Sequence, residues 1–553
     1  MGAAGDWPVI RRYAVPEWMI AECAEARERG DWRAACAAAR VTVAFDDAGP
    51  VADLLAGFAP DLLRWHLPRA MDGTGALATG MRYVLAPDGP VTADTMVLGV
   101  RSPVWESSSQ RLTLHAVRAG DIAEGPAFPL PAHLWDARRA GELREATQSA
   151  AVPPPAGDPR TAAPPGDPQP ITHAGDPWPV DQAGEPWPVD QAADLWPDEE
   201  FDDDGLAEDD GLAEIERAFR AAGWLIDPEA GNWSPWGIDL LRGMDPQVAA
   251  RELRRLTAQF GRRTWELRGV LSWQRFRKPP MQLCLEAAGA HNQITRRPAG
   301  STRQGPVRAG LCLHPALLRP PVDLDLVRHG WIGVEQLHPL VRAALFPDVR
   351  PAGPRPVQDV VPAGFAAGER IRVRCGGEWH WIGLRGGRLE LLHHTDAERR
   401  REHALRAFGG AIAGCFAAES AWHAGDGATP RRLRDYRRDL WRRMEHGGAR
   451  VVLALLDAGM DPHIRDGLGR TLLHRAHQFE PELLPRLLAE GLDVNAVDRR
   501  GYTPMCEALG HSAPPGLIMA LNDAGALPQL SFPDGRTRLE TGQENAEAGQ
   551  LRG

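Results

Sequence analysis

The chain has 553 residues and a formal net charge of −11, and 43% of its residues are hydrophobic. This length exceeds what one hydrophobic core supports, so a single domain is excluded and about three or four are expected. The hydrophobic fraction is that of a globular protein, whereas the uneven distribution of 49 prolines and 58 glycines indicates linkers.

The negative charge is concentrated in one segment. Between Thr161 and Glu216 there are 17 acidic residues and no Lys or Arg. The rest of the chain therefore has 57 of the 74 acidic residues and all 63 basic ones, a net charge of +6. We expect mildly basic globular parts joined by an acidic tether.

The basic residues are almost all arginine, since Lys278 is the only lysine. Arginine codons are rich in G and C, so this bias indicates a high-GC bacterial genome. No run of about 18 apolar residues is present, so no membrane-spanning helix is predicted. Residues Met1 to Asp6 lack the pattern of a signal peptide, and a cytoplasmic protein is therefore expected.

The cysteines are widely spaced and include no Cys-x-x-Cys pair. Their odd number and apolar neighbours predict buried free thiols in a reducing compartment, not a disulfide framework. The seven positions are Cys23, Cys36, Cys284, Cys312, Cys375, Cys415 and Cys506.

Residues 1–150 are predicted to form an α+β domain. Pro16 to Arg40 have the pattern of a helical hairpin in which Asp31 caps the second helix. A helix from His133 to Arg144 is expected to close the domain. Three segments between the hairpin and this helix have the pattern of strands: 81–85, 95–100 and 111–117.

Residues 151–211 are predicted to be a disordered linker, because a segment so rich in proline and acid cannot bury enough apolar surface to fold. It contains a nine-residue repeat, in which Ala174 to Gln182 returns as Ala183 to Gln191. Its Trp-Pro pairs would suit a docking peptide. Slippage of a repetitive gene is the explanation we favour.

Residues 212–350 are predicted to be a second α+β domain. Helices are expected from Leu212 and from Asp245, where Asp can cap and Pro246 fits the first turn. The remaining elements are strands at 265–271 and 281–285 and a helix at 334–345.

Residues 363–428 are predicted to form a β-meander followed by helices. Arg370 to Cys375 alternate in polarity, Gly376 and Gly377 supply a tight turn, and two return strands are expected at 378–384 and 388–393. The helices that follow are predicted to bury one apolar stripe, which consists of Leu405, Phe408, Ile412 and Phe416.

Residues 429–527 contain an internal repeat. Asp466 to His474 return 32 positions later as Asp498 to Cys506, and Leu455 to Asp461 return as Leu487 to Asp493. A period close to 33 residues, with a turn followed by two helices, resembles the ankyrin repeat. The polar residues 528–553 are expected to be a disordered tail.

The resemblance to ankyrin repeats implies structural roles for particular residues. Gly469 and Gly501 would allow the tight turns, Thr471 and Thr503 would cap the first helices, and His474 would hydrogen-bond between repeats. The sequence also departs from the family pattern, since Leu472 stands where the other repeat has Pro504, and Pro514 with Pro515 lengthens the last repeat. Cys506 replaces the usual histidine, and Pro485 falls within a second helix, where proline is destabilising beyond the first turn.

An arginine-rich helix that begins at Thr429 is expected to cap the repeats, with its polar face in solvent. Ankyrin repeats bind partner proteins through their turn tips and the concave face of their helices. The residues of this chain at those positions are Arg470, Arg475, Gln478, Arg499, Arg500, Tyr502, Glu507 and His511.

Other site types have weaker support in the sequence. The arginine face of residues 431–443 would suit phosphate contacts, but the codon bias and the need for a solvated cap also explain it, so nucleic-acid binding is not expected. His393 and His394 point to opposite faces of a strand and cannot chelate together, and Thr395 with Glu398 forms a capping box. We therefore expect no metal, cofactor or catalytic residue.

The sequence thus predicts a multidomain protein with α+β N-terminal and central domains and a C-terminal α-helical, ankyrin-like solenoid. The predicted function is that of an adaptor, which binds another protein through the repeats. The identity of the partner and the oligomeric state are left open. The alternative is an enzyme or toxin-like effector with its catalytic part in 1–150 or 212–350, which a deep polar pocket there would favour.

Overall fold

The computed structural model describes residues 2–147, 209–349 and 360–527. Within these ranges it leaves out 71–74, 105–107, 123–125, 228–240, 242, 269–280, 290, 299–309, 363–364, 366–367, 411, 425–428 and 512. The predicted linker up to residue 208 and the predicted tail therefore lie outside the described residues. None of the described helices is both long enough and apolar enough to cross a bilayer.

The N-terminal half combines six helices and five strands among its described residues. The helices are α1 (Gly2–Tyr13), α2 (Glu17–Glu28), α3 (Trp32–Ala38), α4 (Ala52–Gly57), α5 (Pro60–His66) and α6 (Glu142–Thr147). The strands are β1 (Val41–Val43), β2 (Arg82–Leu85), β3 (Met96–Arg101), β4 (Leu112–Arg118) and β5 (Pro126–Pro129). The predicted hairpin is confirmed, and Asp31 caps α3 by accepting a hydrogen bond from the backbone N–H of Ala34.

The second half of the sheet is formed by residues 209–349, the central half, which has four α-helices and five strands among its described residues. The helices are α7 (Asp209–Ala221), α8 (Pro246–Phe260), α9 (Val322–Arg328) and α10 (Pro339–Leu345). The strands are β6 (Trp224–Ile226), β7 (Thr264–Leu267), β8 (Met281–Ala288), β9 (His291–Pro298) and β10 (Gly310–Leu313). Asp245 caps α8 as predicted. The predicted helix at 334–345 is split before Pro339, and the one at 133–144 gives way to a 3-10 turn and α6.

The two predicted α+β domains share one ten-stranded sheet, with the strand order β1-β4-β3-β2-β5-β10-β7-β8-β9-β6. The two halves meet where β5 and β10 run parallel, and Leu311 lies opposite Ala127. This pairing joins residues 184 positions apart, so no local pattern in the sequence predicts it.

The two halves of the sheet have the same topology. In each half the first and fourth strands are parallel, the second to fourth form an antiparallel meander, and the second and fifth are parallel. Equivalent strands also begin at similar spacings, since β6 begins 183 residues after β1 and β10 begins 184 residues after β5. A Pro-Ala-x-Leu sequence follows the fifth strand of each half, at Pro131 and at Pro315. The sheet is therefore an internal duplication.

Helices α2 to α5 cover one face of the sheet, and helices α7 and α8 cover the other. Tyr83 and Phe128 belong to a core shared with α2 to α5, whereas Ala127 and Leu311 belong to a second core shared with α7 and α8. Such an arrangement corresponds to a pseudo-twofold axis that runs along the strands between β5 and β10. Both faces of the sheet are therefore buried where β5 pairs with β10, and both hydrophobic cores continue across this junction.

A separate three-stranded sheet follows, as predicted. It comprises β11 (Glu369–Cys375), β12 (Glu378–Arg385) and β13 (Arg388–Leu391), all antiparallel. Two helices come next, α11 (Asp396–Ala407) and α12 (Gly414–Ala424). Their predicted apolar stripe is wrong, because Phe408 is 90% exposed and Leu405 is 49% exposed. Helix α11 ends just before Gly409, whose positive φ of 82° does not occur within an α-helix.

The C-terminal repeats (residues 429–527) contain five α-helices among the described residues. These are α13 (Arg431–Gly447), α14 (Ala449–Asp457), α15 (Leu484–Ala489), α16 (Pro504–Gly510) and α17 (Pro515–Asp523). A 3-10 helix, Leu473–Gln478, stands before α15. Pro485 lies in the first turn of α15, so it removes no intrahelical hydrogen bond.

The capping helix α13 differs from the prediction in two respects. Pro430, not Thr429, stands at its N-terminus, and the Thr429 hydroxyl instead donates to the carbonyl of Ala421. Its arginine face is also not wholly in solvent, because Arg437 is buried against Trp422. Helix α13 further contacts α1, where the Tyr13 hydroxyl donates to the carboxylate of Asp439 at 2.5 Å.

The C-terminal repeats are joined to the N-terminal half by the half-buried carboxylate of Glu480. It pairs with Arg40 at 3.1 Å and with Arg111 at 2.8 Å, and it accepts a hydrogen bond of 2.6 Å from the backbone N–H of Ala449. Arg40 also donates to the carbonyl of His446 at 2.6 Å. Burial alone would raise the pKa of Glu480, but these partners outweigh it and lower the pKa to about 2.

We predict that Glu480→Gln lowers the free energy of unfolding at pH 7 by about 3 kcal/mol, because it leaves Arg40 buried without a counter-ion. A carboxylate with a depressed pKa stabilises the fold above its unfolded pKa near 4.5, and this contribution is lost as the pH falls towards 2. Urea unfolding should therefore show a smaller difference between variant and wild type at pH 3. The exposed neighbour Glu482, changed to Gln, serves as the control. An equal loss at both pH values would contradict this role of Glu480.

Candidate functional site

Two loops in the C-terminal repeats have the same hydrogen bonds, 32 residues apart. One carboxylate oxygen of Asp466 accepts from the backbone N–H groups of Leu468 and Arg470, at 2.8 and 3.0 Å. The equivalent oxygen of Asp498 accepts from those of Arg500 and Tyr502, at 2.8 and 2.9 Å. Each aspartate thus fixes a turn with the same shape, so the residues at the two tips point in related directions.

His474 connects the two turns. Its Nδ1 accepts from the backbone N–H of Thr471 and lies 2.9 Å from the Thr471 hydroxyl, while its Nε2 lies 3.0 Å from the carbonyl of Tyr502. The ring therefore accepts at one nitrogen and donates at the other, which requires the neutral form. Burial accordingly lowers the pKa of His474. This is the contact between repeats that the resemblance implied.

The residues predicted to bind a partner differ widely in exposure. Arg499 and Arg500 are exposed at the tip of the second turn, and Tyr502 and His511 are half-buried. Gln478 and Glu507 are buried, at 8% and 7% exposed. The structure thus places the two arginines of the second tip where another molecule can reach them, and it places the helix positions inside a polar layer.

Arg470 and Arg475 converge on Asp466. The guanidinium of Arg470 pairs with it at 2.7 Å and that of Arg475 at 3.3 Å. Arg475 also pairs with Glu445 at 3.3 Å, which ties α13 to the first turn. These two arginines are positioned by internal ion pairs, a feature that the repeat pattern did not predict because Glu445 lies outside the matched positions.

A second polar group lies beside these ion pairs. The rings of His477 and His511 stack with their centroids 4.7 Å apart, and His511 Nε2 lies 3.1 Å from a carboxylate oxygen of Glu507. Burial opposes ionisation of Glu507, but His511 outweighs it and lowers the pKa to about 2. Burial lowers the pKa of His477 to about 3. Neither ring nitrogen of His477 has a partner among the described residues.

A large cavity of about 1100 Å³ lies outside the C-terminal repeats, at the junction of the two sheet halves. It is lined by the segments that follow β2, β5 and β10, three neighbouring strands that run in parallel. The carboxyl ends of parallel strands are where open α/β sheets bind their ligands. Residues of both halves line this cavity. A prediction that treats 1–150 and 212–350 as separate domains therefore could not identify it.

Three histidines line this cavity. Burial lowers the pKa of His66 well below its usual value and lowers those of His133 and His314 to about 4, so all three rings are neutral at pH 7. His314 Nδ1 accepts from the backbone N–H of Ala316 at 3.1 Å. The Nε2 atoms of His314 and His66 have no hydrogen-bond partner among the described residues. Both atoms therefore lack the hydrogen bond that buried polar atoms usually make.

The cavity also contains both charged pairs and an unpaired guanidinium nitrogen. Arg255 pairs with Glu252 at 2.5 Å, and Arg11 pairs with Asp323 at 2.9 Å. Nη1 of Arg251 has no partner within the described part of the chain. Neutral imidazoles beside a guanidinium can bind a small polar or anionic molecule, and the imidazoles can also transfer protons. No motif or spacing in the sequence indicated a site at these residues.

We predict that His474→Ala lowers the free energy of unfolding by about 2 to 3 kcal/mol, because it leaves the Tyr502 carbonyl and the Thr471 N–H without their partner. Hydrogen exchange of the backbone amides of 498–506 should accelerate in the variant. His463→Ala, at an exposed position in the same segment, is the control. Unchanged exchange in the His474 variant would show that the two turns do not depend on this ring.

No family model matches the chain, and no curated protein matches it. The function must therefore be argued from the repeated turns and from the cavity. These two features lie in different parts of the molecule and support different kinds of function.

Proposed function

We propose that the chain is an adaptor that holds a partner protein on an ankyrin-like array formed by residues 429–527. The observation that carries the proposal is the pair of identical turns at Asp466 and Asp498, locked to each other by His474. A rigid row of turn tips loses little conformational entropy on binding, which favours recognition of a folded partner.

The surface of this array suits an acidic partner. Arg499 and Arg500 are exposed at one tip, whereas Arg470 and Arg475 lie behind them in ion pairs that fix their positions. Arginine is favoured in interfaces because its planar guanidinium binds carboxylates through two hydrogen bonds. The half-buried Tyr502 adds an aromatic surface beside the two exposed arginines.

The base of the array is already occupied by the chain itself. Glu480 binds Arg40 and Arg111 of the N-terminal half. The backbone N–H of Asp461 donates to the carbonyl of Gly386 in the three-stranded sheet at 2.7 Å. A partner therefore has the tips and the distal end available. The binding unit is the array on this support, and an isolated fragment would lose that support.

The test is copurification with the full chain. We expect Arg499→Glu with Arg500→Glu to reduce recovery of one specific protein by about tenfold or more, the loss that corresponds to ~1.4 kcal/mol of interface contacts. Quantitative mass spectrometry of proteins recovered with each variant would measure it. Arg431→Glu with Arg432→Glu makes the same charge change at exposed positions of α13.

The control also separates the hypotheses. A loss with the α13 variant alone would favour binding through the arginine-rich helix, including the nucleic-acid interpretation. Recovery of the same proteins by both variants and the wild type would reject the adaptor proposal.

A second candidate function rests on the cavity, which is the kind of pocket that favours an enzyme or effector. We infer that it binds a small polar or anionic molecule between His314, His66 and Arg251, three lining residues that each have a buried nitrogen without a hydrogen-bond partner among the described residues. In the duplicated sheet, Leu130 occupies the position equivalent to His314, 184 residues earlier. The variant His314→Leu therefore has, at this position, the residue that is buried at the equivalent position of the N-terminal half.

Small molecules released by heating the full chain purified from cells should be identified by mass spectrometry. We expect one anionic compound in about equimolar amount with the wild type and with the exposed control His329→Ala, and its loss in His314→Leu. Inorganic phosphate and AMP, added as probes, should raise the unfolding temperature of the wild type if the cavity binds phosphate groups. Absence of any bound compound and of any shift with either probe would reject this candidate.

A further inference from the structure

A group of four side chains in the block between the large sheet and the C-terminal repeats has the composition of a metal site. These side chains are Cys375, His380, His394 and Cys415, each of which offers one donor atom. The four donor atoms all lie within 4.8 Å of one another. No part of the proposed adaptor function or of the cavity uses them.

Four separate segments supply these donors. Cys375 ends β11, and His380 lies on β12 beyond the Gly376-Gly377 turn, opposite Val373. His394 follows the end of β13, and Cys415 lies in the first turn of α12. The sequence contains no close pair such as Cys-x-x-Cys, which is why spacing alone did not predict the group.

The distances approach those of a tetrahedral centre. His380 Nδ1 lies 3.0 Å from His394 Nε2, and Cys375 Sγ lies 3.7 Å from His394 Nε2. Zinc bonds of about 2.3 Å to sulfur and about 2.0 Å to nitrogen place the donors of a tetrahedron roughly 3.3 to 3.8 Å apart. Side-chain shifts of up to about 1 Å would therefore complete the coordination.

The surroundings hold the donors in these positions. The ring of His394 packs on Phe416, with centroids 4.4 Å apart, and His380 stacks on His393 at 5.1 Å. Gly414 has a φ of 61°, and a Cβ there would lie 2.5 Å from Cys375 Sγ. The chain thus needs glycine next to Cys415 to bring the two cysteines together.

The geometry points to a structural zinc site formed by Cys375, His380, His394 and Cys415. Two thiolates and two imidazoles in a compact group are a donor set that zinc favours, whereas magnesium and calcium favour oxygen donors. All four positions are supplied by the protein, so no open position remains for a substrate. The role is therefore to hold the fold together, not to catalyse a reaction.

The zinc would connect the β-meander to α12. This small sheet buries few large side chains, among them Ile371, Ile382 and Leu384. Trp422 of α12 donates to the carbonyl of Gly387 at 3.0 Å, which joins the sheet to that helix. The sheet also supports the C-terminal repeats, because the backbone N–H of Asp461 donates to the carbonyl of Gly386 at 2.7 Å. Metal binding at this point would stabilise both the sheet and the surface on which the repeats pack.

The sequence predicted no metal here, because His393 and His394 were expected to point to opposite faces of a strand. That argument is wrong, since β13 ends at Leu391 and both histidines lie in the turn that follows it. His393 is exposed, whereas His394 offers its ring nitrogen to the group that His380 and the two cysteines form.

The test measures zinc in the full chain. Elemental analysis of protein purified without chelator should give about one zinc per chain for the wild type and for His463→Asn, a variant at an exposed histidine outside the group. Cys415→Ser and His394→Asn should each lower zinc affinity by about tenfold or more, since even the outer partners of metal ligands contribute that much. Circular dichroism would verify that each variant is folded.

Cobalt provides a readout that does not depend on the variants. Replacing zinc with Co²⁺ in the wild type should produce the visible absorption of a tetrahedral site and a thiolate charge-transfer band. Removal of zinc by a chelator should lower the unfolding temperature of the wild type and leave that of folded Cys415→Ser unchanged.

Three results would overturn the proposal. One is a folded wild-type chain that takes up neither zinc nor cobalt. Another is zinc binding that survives in both Cys415→Ser and His394→Asn. The third is an intact mass two hydrogens lighter in freshly purified protein, with Cys375 and Cys415 joined as a disulfide.

Discussion

The ion pair between the half-buried carboxylate of Glu480 and the buried Arg40 is the contact on which the arrangement of the molecule depends. The carboxylate neutralises Arg40, which is 4% exposed and adopts a left-handed φ of 55°, an unfavourable conformation for a residue with a side chain. The same carboxylate accepts from the N–H of Ala449 at the start of α14. One charge therefore fixes a strained position in the N-terminal half and the first helices of the C-terminal repeats together.

A chain of contacts extends from this ion pair to the surfaces proposed to bind other molecules. Glu480 anchors the first repeat, and His474 fixes the second turn relative to the first through the carbonyl of Tyr502. Arg499 and Arg500 are exposed at the tip of that second turn. The three-stranded sheet supports the same repeats from another side through Gly386. Loss of any one support would displace the tips without touching them, so a defect in partner binding need not indicate a contact residue.

Local signals predicted the elements whose pattern lies within a few residues. Alternating polarity predicted the meander from Arg370 onward, and the side chain of Asp31 predicted the start of α3. The strands β5 and β10 were missed because each has only four residues and gains its pairing from a partner 184 positions away. The repeat pattern predicted which positions would bind a partner, but it did not predict how buried they are. Their counter-ions include residues such as Glu445, which lies outside the matched positions of the repeat. The four proposed zinc ligands cannot be grouped from spacing when four segments supply them.

The duplication of the sheet has an evolutionary consequence. Once two copies of a fold are joined, one copy can retain a residue that serves packing while the other is free to change. Leu130 after β5 and His314 after β10 are such a pair, both buried at equivalent positions. A single ancestral unit that paired with itself through its fifth strand would have had two identical residues at this junction. Covalent fusion removed that symmetry, and it allowed an asymmetric cavity to arise between copies that began alike.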